Sequence, residues 1–171
     1  MSKLYRWLPA IIVMLIIFLF SSQPYGDQNL KPGLDRNLIV NSLAERMSDV
    51  QFDYAGKEVS VHTLGKAGFV EFLIRKGAHF SIFGLLGFTL FYSLHTMRRR
   101  STLKPYIIAV VISFLYACSD EFHQSITPDR TPLFQDVLID TAGAICGAAL
   151  MVLLMKWSRQ RQKSQDSRWE K

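Results

Sequence analysis

Asp120, Glu121, His123 and Gln124 fill four of five consecutive positions where one apolar run ends, and Asp136 and Asp140 stand four apart where another begins. Arg75, Lys76 and His79 open a third run, and Arg130 lies in a short loop bracketed by Pro128 and Pro132. Carboxylates beside a histidine can exchange protons as general acid and base. Guanidinium and ammonium groups can grip an anionic or polar ligand while carboxylates order them and accept from ligand hydroxyls or amides. Asp, Glu and His are also metal-ligand types, yet no HExxH or Cys/His spacing is present, so neither a metal nor another cofactor is expected. A GxSxG elbow for Ser/His/Asp hydrolysis is missing as well. Ion pairs that simply lock helices together would use the same residues, and that structural reading stands beside the functional ones.

The elements that must position these residues are membrane spans. Gly77 to Met97 is a stretch of 21 residues without Asp, Glu, Lys or Arg, about what a helix needs to cross the hydrocarbon core. Trp7 to Phe20 is a second apolar block, and including Leu4 with Arg6 reaching to the headgroups lengthens it to residues 4–20. Pro105 to Ser119 covers only 15 residues, about 22 Å of helix against a core of about 30 Å. Extending this span to 105–124 supplies the length and draws Asp120, Glu121, His123 and Gln124 into the membrane region. Those groups cannot face lipid cheaply, so the stripe Ser113, Tyr116, Asp120, Gln124, with Glu121 and His123 on its flanks, should face the bundle interior. The last span, 137–155, carries Asp140 about one turn deep, on the face shared with Asp136, Gly143 and Gly147. Its glycines permit close helix approach, and Asp140 needs a partner or a proton. Gly84 and Gly87 read as packing residues of the second span. The expected fold is therefore an all-α integral membrane bundle of four transmembrane helices. A soluble globule of 171 residues could not hide four such blocks.

Charge gives the bundle a direction. Residues 1–6, 98–104 and 156–171 hold 12 of the 20 Lys and Arg, with only Asp166 and Glu170 opposing them. Arg98, Arg99, Arg100 and Lys104 crowd one short loop, while Lys156, Arg159, Arg161 and Lys163 follow the last span. This predicts both termini inside and the charged cluster on the outer side. Because these basic residues flank apolar spans instead of forming one face of a folded domain, nucleic acid is not an expected partner. The lipid bilayer is. Oligomeric state has no signature in the chain.

The 21–75 connection is the long outer loop. Pro24, Gly26, Asp27, Pro32 and Gly33 mark turns. Asp35 is the expected N-cap of a segment 36–48 whose Leu38, Ile39, Leu43 and Met47 form one helical stripe suited to the membrane surface, with a loose loop as the alternative. Val59 and Val61 suggest a short extended stretch, and Phe69, Phe72 and Leu73 a helix running into the second span. The first span is expected to be retained, since no small-x-small cleavage site follows it. Cys118 and Cys146 fall inside spans and read as packing residues. His62 and His95 are expected to be solvated or interfacial. The polar tail from Ser158 is expected to be disordered.

The sequence resembles the VanZ-like family of bacterial membrane proteins. The resemblance rests on Phe20-Ser21-Ser22-Gln23-Pro24, on Arg75-Lys76-Gly77-Ala78-His79-Phe80 and on Asp120-Glu121-Phe122-His123-Gln124. It continues through Pro128-Asp129-Arg130 and Asp136-Val137-Leu138-Ile139-Asp140-Thr141-Ala142-Gly143-Ala144. Asp129 departs from the glycine common before the arginine, which puts the turn geometry there in question. Residues 1–155 are then a VanZ-like membrane domain and 156–171 a basic cytoplasmic tail. The resemblance implies a multi-pass protein of the bacterial plasma membrane linked to resistance to teicoplanin-type glycopeptides, and carries no mechanism. Two functions lead, and a third, a small transporter, is less attractive because four spans without an internal repeat would need the chain to oligomerise. The chain either binds an envelope lipid, another polar envelope component or an acylated glycopeptide through Arg75, Lys76 and Arg130, or acts as an enzyme on a lipid-linked substrate with Asp120, Glu121 or Asp140 and a histidine in acid and base roles.

Overall fold

A computed structural model of the chain describes residues 3–97, 101–128 and 130–169. Four helices form the bundle: α1 (Leu8–Ser21), α4 (Val61–Met97), α5 (Leu103–Ser125) and α6 (Phe134–Trp169). Two short helices, α2 (Lys31–Leu34) and α3 (Leu38–Arg46), and a hairpin of β1 (Gln51–Tyr54) and β2 (Lys57–Ser60) fill the connection between α1 and α4. The helices α4, α5 and α6 are long and apolar enough to cross a membrane, whereas the apolar helical stretch Tyr5–Ser21 is shorter. At about 1.5 Å per residue, its 17 positions fall some 5 Å short of a 30 Å core. The chain is thus a helical membrane protein with three long apolar helices and a short one.

The directions of the helices follow from their contacts. Arg6 Nη1 donates to the Thr96 carbonyl at 2.8 Å and Tyr116 to that of Met14 at 2.7 Å, so α1 runs against α4 and along α5. Lys76 meets Asp136 and His79 meets Asp140, which makes α4 and α6 parallel. The interior is sparse in large groups. Phe83, Leu86, Leu90 and Phe91 of α4 pack against Ala109 and Ala117 of α5, Val137 and Ala148 of α6, and Ala10, Val13 and Ile17 of α1. Large apolar side chains instead line the outside, including Ile12, Leu15, Leu115, Leu138 and Leu153. That distribution suits a lipid solvent, where helices associate by close packing and not by hiding hydrocarbon.

The tightest contact joins α4 to α6. A methyl group added at Gly87 would overlap the Ala144 carbonyl, one at Gly143 the Phe80 carbonyl, and one at Gly147 the Gly84 carbonyl. These residues, expected to serve packing, let two backbones touch and thereby fix the axial register of the charged residues above them.

Several local expectations need correction. Asn37, not Asp35, caps α3, accepting from Ile39 N at 2.9 Å and Val40 N at 3.4 Å. The side chain two residues back cannot reach N–H groups that the Asn37 side chain meets from the cap position itself. Helix α3 buries Val40 and Ala44, leaving Leu38 and Ile39 of its apolar stripe exposed. The extended stretch near Val59 is one arm of a hairpin, closed by Ala55 (φ 56°) and Gly56 (φ 75°) in the left-handed pair that a two-residue turn requires. The tail is helical through Trp169, since no Gly or Pro interrupts it and the long apolar helix α6 has already supplied the nucleus. His95 is buried, stacked on Phe91 and 3.3 Å from Arg159, because it faces the bundle between α4 and α6. Cys118 and Cys146 are free; Cys118 packs against the core and Cys146 is exposed on the outer surface of α6. Asp129 and Arg98, Arg99 and Arg100 lie outside the described residues.

Candidate functional site

The site is built at the end of the bundle where α4 and α6 begin and α5 ends. Gly65 (φ 72°, ψ 167°) interrupts the first turn of α4 in a conformation open only to glycine. Beyond that break the hairpin lies on α4, with the Tyr54 ring 5.2 Å from Phe72, edge to face, and the Phe52 ring 6.0 Å from it. Tyr54 is thereby brought over the bundle, where its hydroxyl donates to Asp136. Lys76 Nζ meets the same carboxylate oxygen at 2.5 Å and sits 4.9 Å from the centre of the Tyr54 ring. Desolvation, and then the hydrogen bond to Asp136, push the Tyr54 phenol above its ordinary value. The tyrosine is a donor here and not a proton source.

One turn deeper, His79 Nδ1 lies 3.4 Å from Asp140 Oδ1 without hydrogen-bond alignment. Asp140 is completely buried, and neither of its oxygens receives a hydrogen bond. Asp120, also buried, arrives from α5 and accepts from Gln124 Nε2 at 2.9 Å. One ligand-type atom from each of His79, Asp120 and Asp140 lies within 4.8 Å of the others.

The arginines form a second layer. Arg75 donates to Glu71 Oε1 at 3.2 Å and to the Gln28 carbonyl at 2.6 Å. Arg130 donates to Gln28 Oε1 at 2.7 Å, the Gln23 carbonyl at 3.1 Å and Gln124 Oε1 at 3.3 Å. Among the described residues no carboxylate comes within ion-pair distance of Arg130, and its Nε is buried without a partner. Burial and the adjacent Arg75 guanidinium both lower the Arg130 pKa from its ordinary value, although an arginine stays charged. Two cations held close with one of them unmatched is an arrangement that an anion would relieve.

Two cavities meet at these groups. One, of about 480 Å³, is walled by Ile16, Ile17, Phe20, Ala78, Ile82 and Leu85 and ends at Gln28, Arg75, His79 and Arg130. The other, of about 330 Å³, is lined by Tyr54, Glu71, Phe72, Lys76, Gln124 and Asp136 and shares Arg75, His79 and Arg130 with the first. Both fall in the size range of small-molecule sites.

Most of the expected cluster therefore converges: Arg75, Lys76, His79, Asp120, Gln124, Arg130, Asp136 and Asp140. Two members turn elsewhere. Glu121 accepts from Leu133 N at 2.8 Å and ties the end of α5 to the start of α6. The ring of His123 stacks on Phe18 of α1, centroids 4.7 Å apart. Sequence reading missed Glu71, Gln28 and Tyr54. Glu71 carried a signal, since it stands four before Arg75 on one helical face. Gln28 and Tyr54 sit in the long connection with no pattern around them.

Comparison with known proteins gives one result. A family model described as VanZ/LLP1 matches residues 6–155. No curated protein and no solved structure matches the chain.

Proposed function

This chain belongs to the VanZ/LLP1 family, and on that footing we propose that it is a plasma-membrane protein that binds an anionic or polar amphiphile of the cell envelope at its outer leaflet. The observation that carries this reading is the junction of an apolar cavity with a polar one at Arg75 and Arg130. An acyl or polyprenyl chain fits between Ile16, Phe20, Ile82 and Leu85, and the headgroup then meets the two guanidinium groups. Arg130 supplies the unmatched charge. Lys76, already paired with Asp136, shapes the polar wall. The outer placement rests on charge: Lys104, Lys156, Arg159 and Arg161 stand at the opposite end, which the positive-inside bias assigns to the cytoplasm. An acylated glycopeptide of the teicoplanin type offers the same combination of chain and polar head, and the site would contribute to tolerance by holding it in the leaflet.

The test is binding of phosphatidylglycerol carrying a fluorescent acyl chain to the purified full chain. Arg130→Ala should weaken binding by about tenfold or more, while Arg159→Ala at the other end should change it less than about twofold. In intact cells a cysteine introduced at position 49 should label from outside and one at 101 should not. Equal binding by Arg130→Ala and the parent protein sinks the ligand reading, and the reverse labelling pattern sinks the orientation. A second reading, an enzyme acting on a lipid-linked substrate, is favoured by the place of His79 in the walls of both cavities. It would add a covalently altered envelope lipid, visible by mass spectrometry, where a binding protein leaves composition unchanged.

A further inference from the structure

Below the arginines two acids are buried with less compensation than they need. Asp140 is fully buried with both oxygens unpartnered, and Asp120 is 5% exposed with Gln124 as its donor. Among the described residues the one basic group within ion-pair distance of Asp140 is His79, and none is within that distance of Asp120. A charged imidazolium–carboxylate pair would close to about 2.8 Å with its N–H aimed at the oxygen. His79 Nδ1 instead stands 3.4 Å away and unaligned. Isolated buried carboxylates are costly unless they are paired or coordinate a cation.

We propose that His79 Nδ1 and one carboxylate oxygen each from Asp120 and Asp140 hold a divalent transition-metal ion of the Zn²⁺ or Mn²⁺ kind where α4, α5 and α6 meet. Four-coordinate ions with bonds of about 2.1 Å hold their ligands about 3.4 Å apart. That is already the His79–Asp140 spacing, and no pair in the group of three is more than 4.8 Å apart. Two carboxylates balance the charge of the ion. The imidazole nitrogen selects a borderline transition metal over Mg²⁺ or Ca²⁺, which prefer oxygen throughout. Three protein ligands leave at least one position open, and the polar cavity that His79 lines gives the ion a path in and a water or ligand a place to bind. No local spacing announces the site, because its three ligands come from three helices. It uses neither arginine of the amphiphile site and stands independently of that reading.

The test uses the full chain in detergent, without a polyhistidine tag. After loading with Zn²⁺ or Mn²⁺ and desalting, elemental analysis should find one ion per chain, and added ion should raise the Tm in a way that EDTA reverses. Asp120→Asn and His79→Gln should each bind the ion at least about tenfold more weakly, and Glu45→Gln on α3 should bind it normally. Asp140→Asn alters a fully buried group and need not accumulate, so a measurement on the unmutated protein supports the variants. Loaded with Co²⁺, it should show the strong visible bands of a low-coordinate site. Absence of stoichiometric ion and of any Tm shift, unchanged affinity in both ligand variants, or a Co²⁺ spectrum identical to that of the aqueous ion would each overturn the proposal.

Discussion

At one end of the bundle Lys76, His79, Asp120, Asp136 and Asp140 lie between helices, and at the other Lys104, Lys156, Arg159 and Arg161 stand on the exposed surface. The basic end needs little from the fold. Arg161 stacks on Trp157 at 3.7 Å, and Lys104, Lys156 and Arg161 are exposed. The site end depends on the fold, because Lys76 meets Asp136 and His79 comes near Asp140 only where α4 and α6 lie side by side. Charges in an exposed segment can sit anywhere along it, whereas charges placed between helices must be held, and holding them requires helices whose approach is fixed.

The strongest way to break that contrast is to part the helices. Gly147→Leu drives a side chain into the α4 backbone at Gly84, where neither helix can yield locally, and should cost more than about 3 kcal/mol. Size-exclusion recovery of folded protein should fall sharply. Recovery equal to the parent would mean that the glycine contact does not set the site. A smaller effect is expected from Lys76→Met, which leaves Asp136 with Tyr54 alone. The side chains of the pair are 22% and 13% exposed, so the loss should be about 1–3 kcal/mol in thermal melts, most of it recovered in Lys76→Met with Asp136→Leu. If the double variant is no better than the single, the pair behaves as an open surface contact. The smallest change belongs to Glu45→Gln, which breaks the exposed 2.6 Å bridge to Lys66. The Lys66 hydrogen bond and charge hold the Glu45 carboxyl below its ordinary 4.5. Its contribution is therefore present above that pH and lost as pH falls through the lower folded value. The Tm at pH 7 should not move measurably, with only a slight flattening of its acid slope. Since Glu45 belongs to the same side of the molecule as the site, a null result there would show that burial, not location, separates the two kinds of charge.

Much of the site was legible because membrane helices make polarity conspicuous. Ser113, Asp120 and Gln124 recur at helical spacing, and all three are buried where that spacing puts them. Lys76 and Asp136 were visible as opposite charges at the heads of two spans, though nothing local said that they would pair. Glu121 and His123 had the same credentials as Asp120, yet around the helix axis they sit about 100° from it on one side and about 60° on the other. That rotation sends one to the α5–α6 corner and the other to α1. The hairpin that delivers Tyr54 was half seen, because β1 (Gln51–Tyr54) is short and three of its four residues are exposed. The helical tail was misread because polarity marks solvent exposure and not the absence of helix.

By itself the sequence determined the solvent and the helices of the long apolar runs: such runs belong in lipid, and lipid leaves a single chain segment little choice but a helix that satisfies its own backbone. It also determined which residues could not face that lipid. The tertiary structure alone decided that His79 answers Asp140, that Gln28 bridges Arg75 and Arg130, and that an apolar and a polar cavity meet at the arginines. Those outcomes depend on the rotation and axial register of α4, α5 and α6, which backbone contacts at Gly84, Gly87, Gly143 and Gly147 fix between residues some sixty positions apart. A shift of one residue, about 1.5 Å along a helix axis, would exchange one partner for another without altering any local pattern.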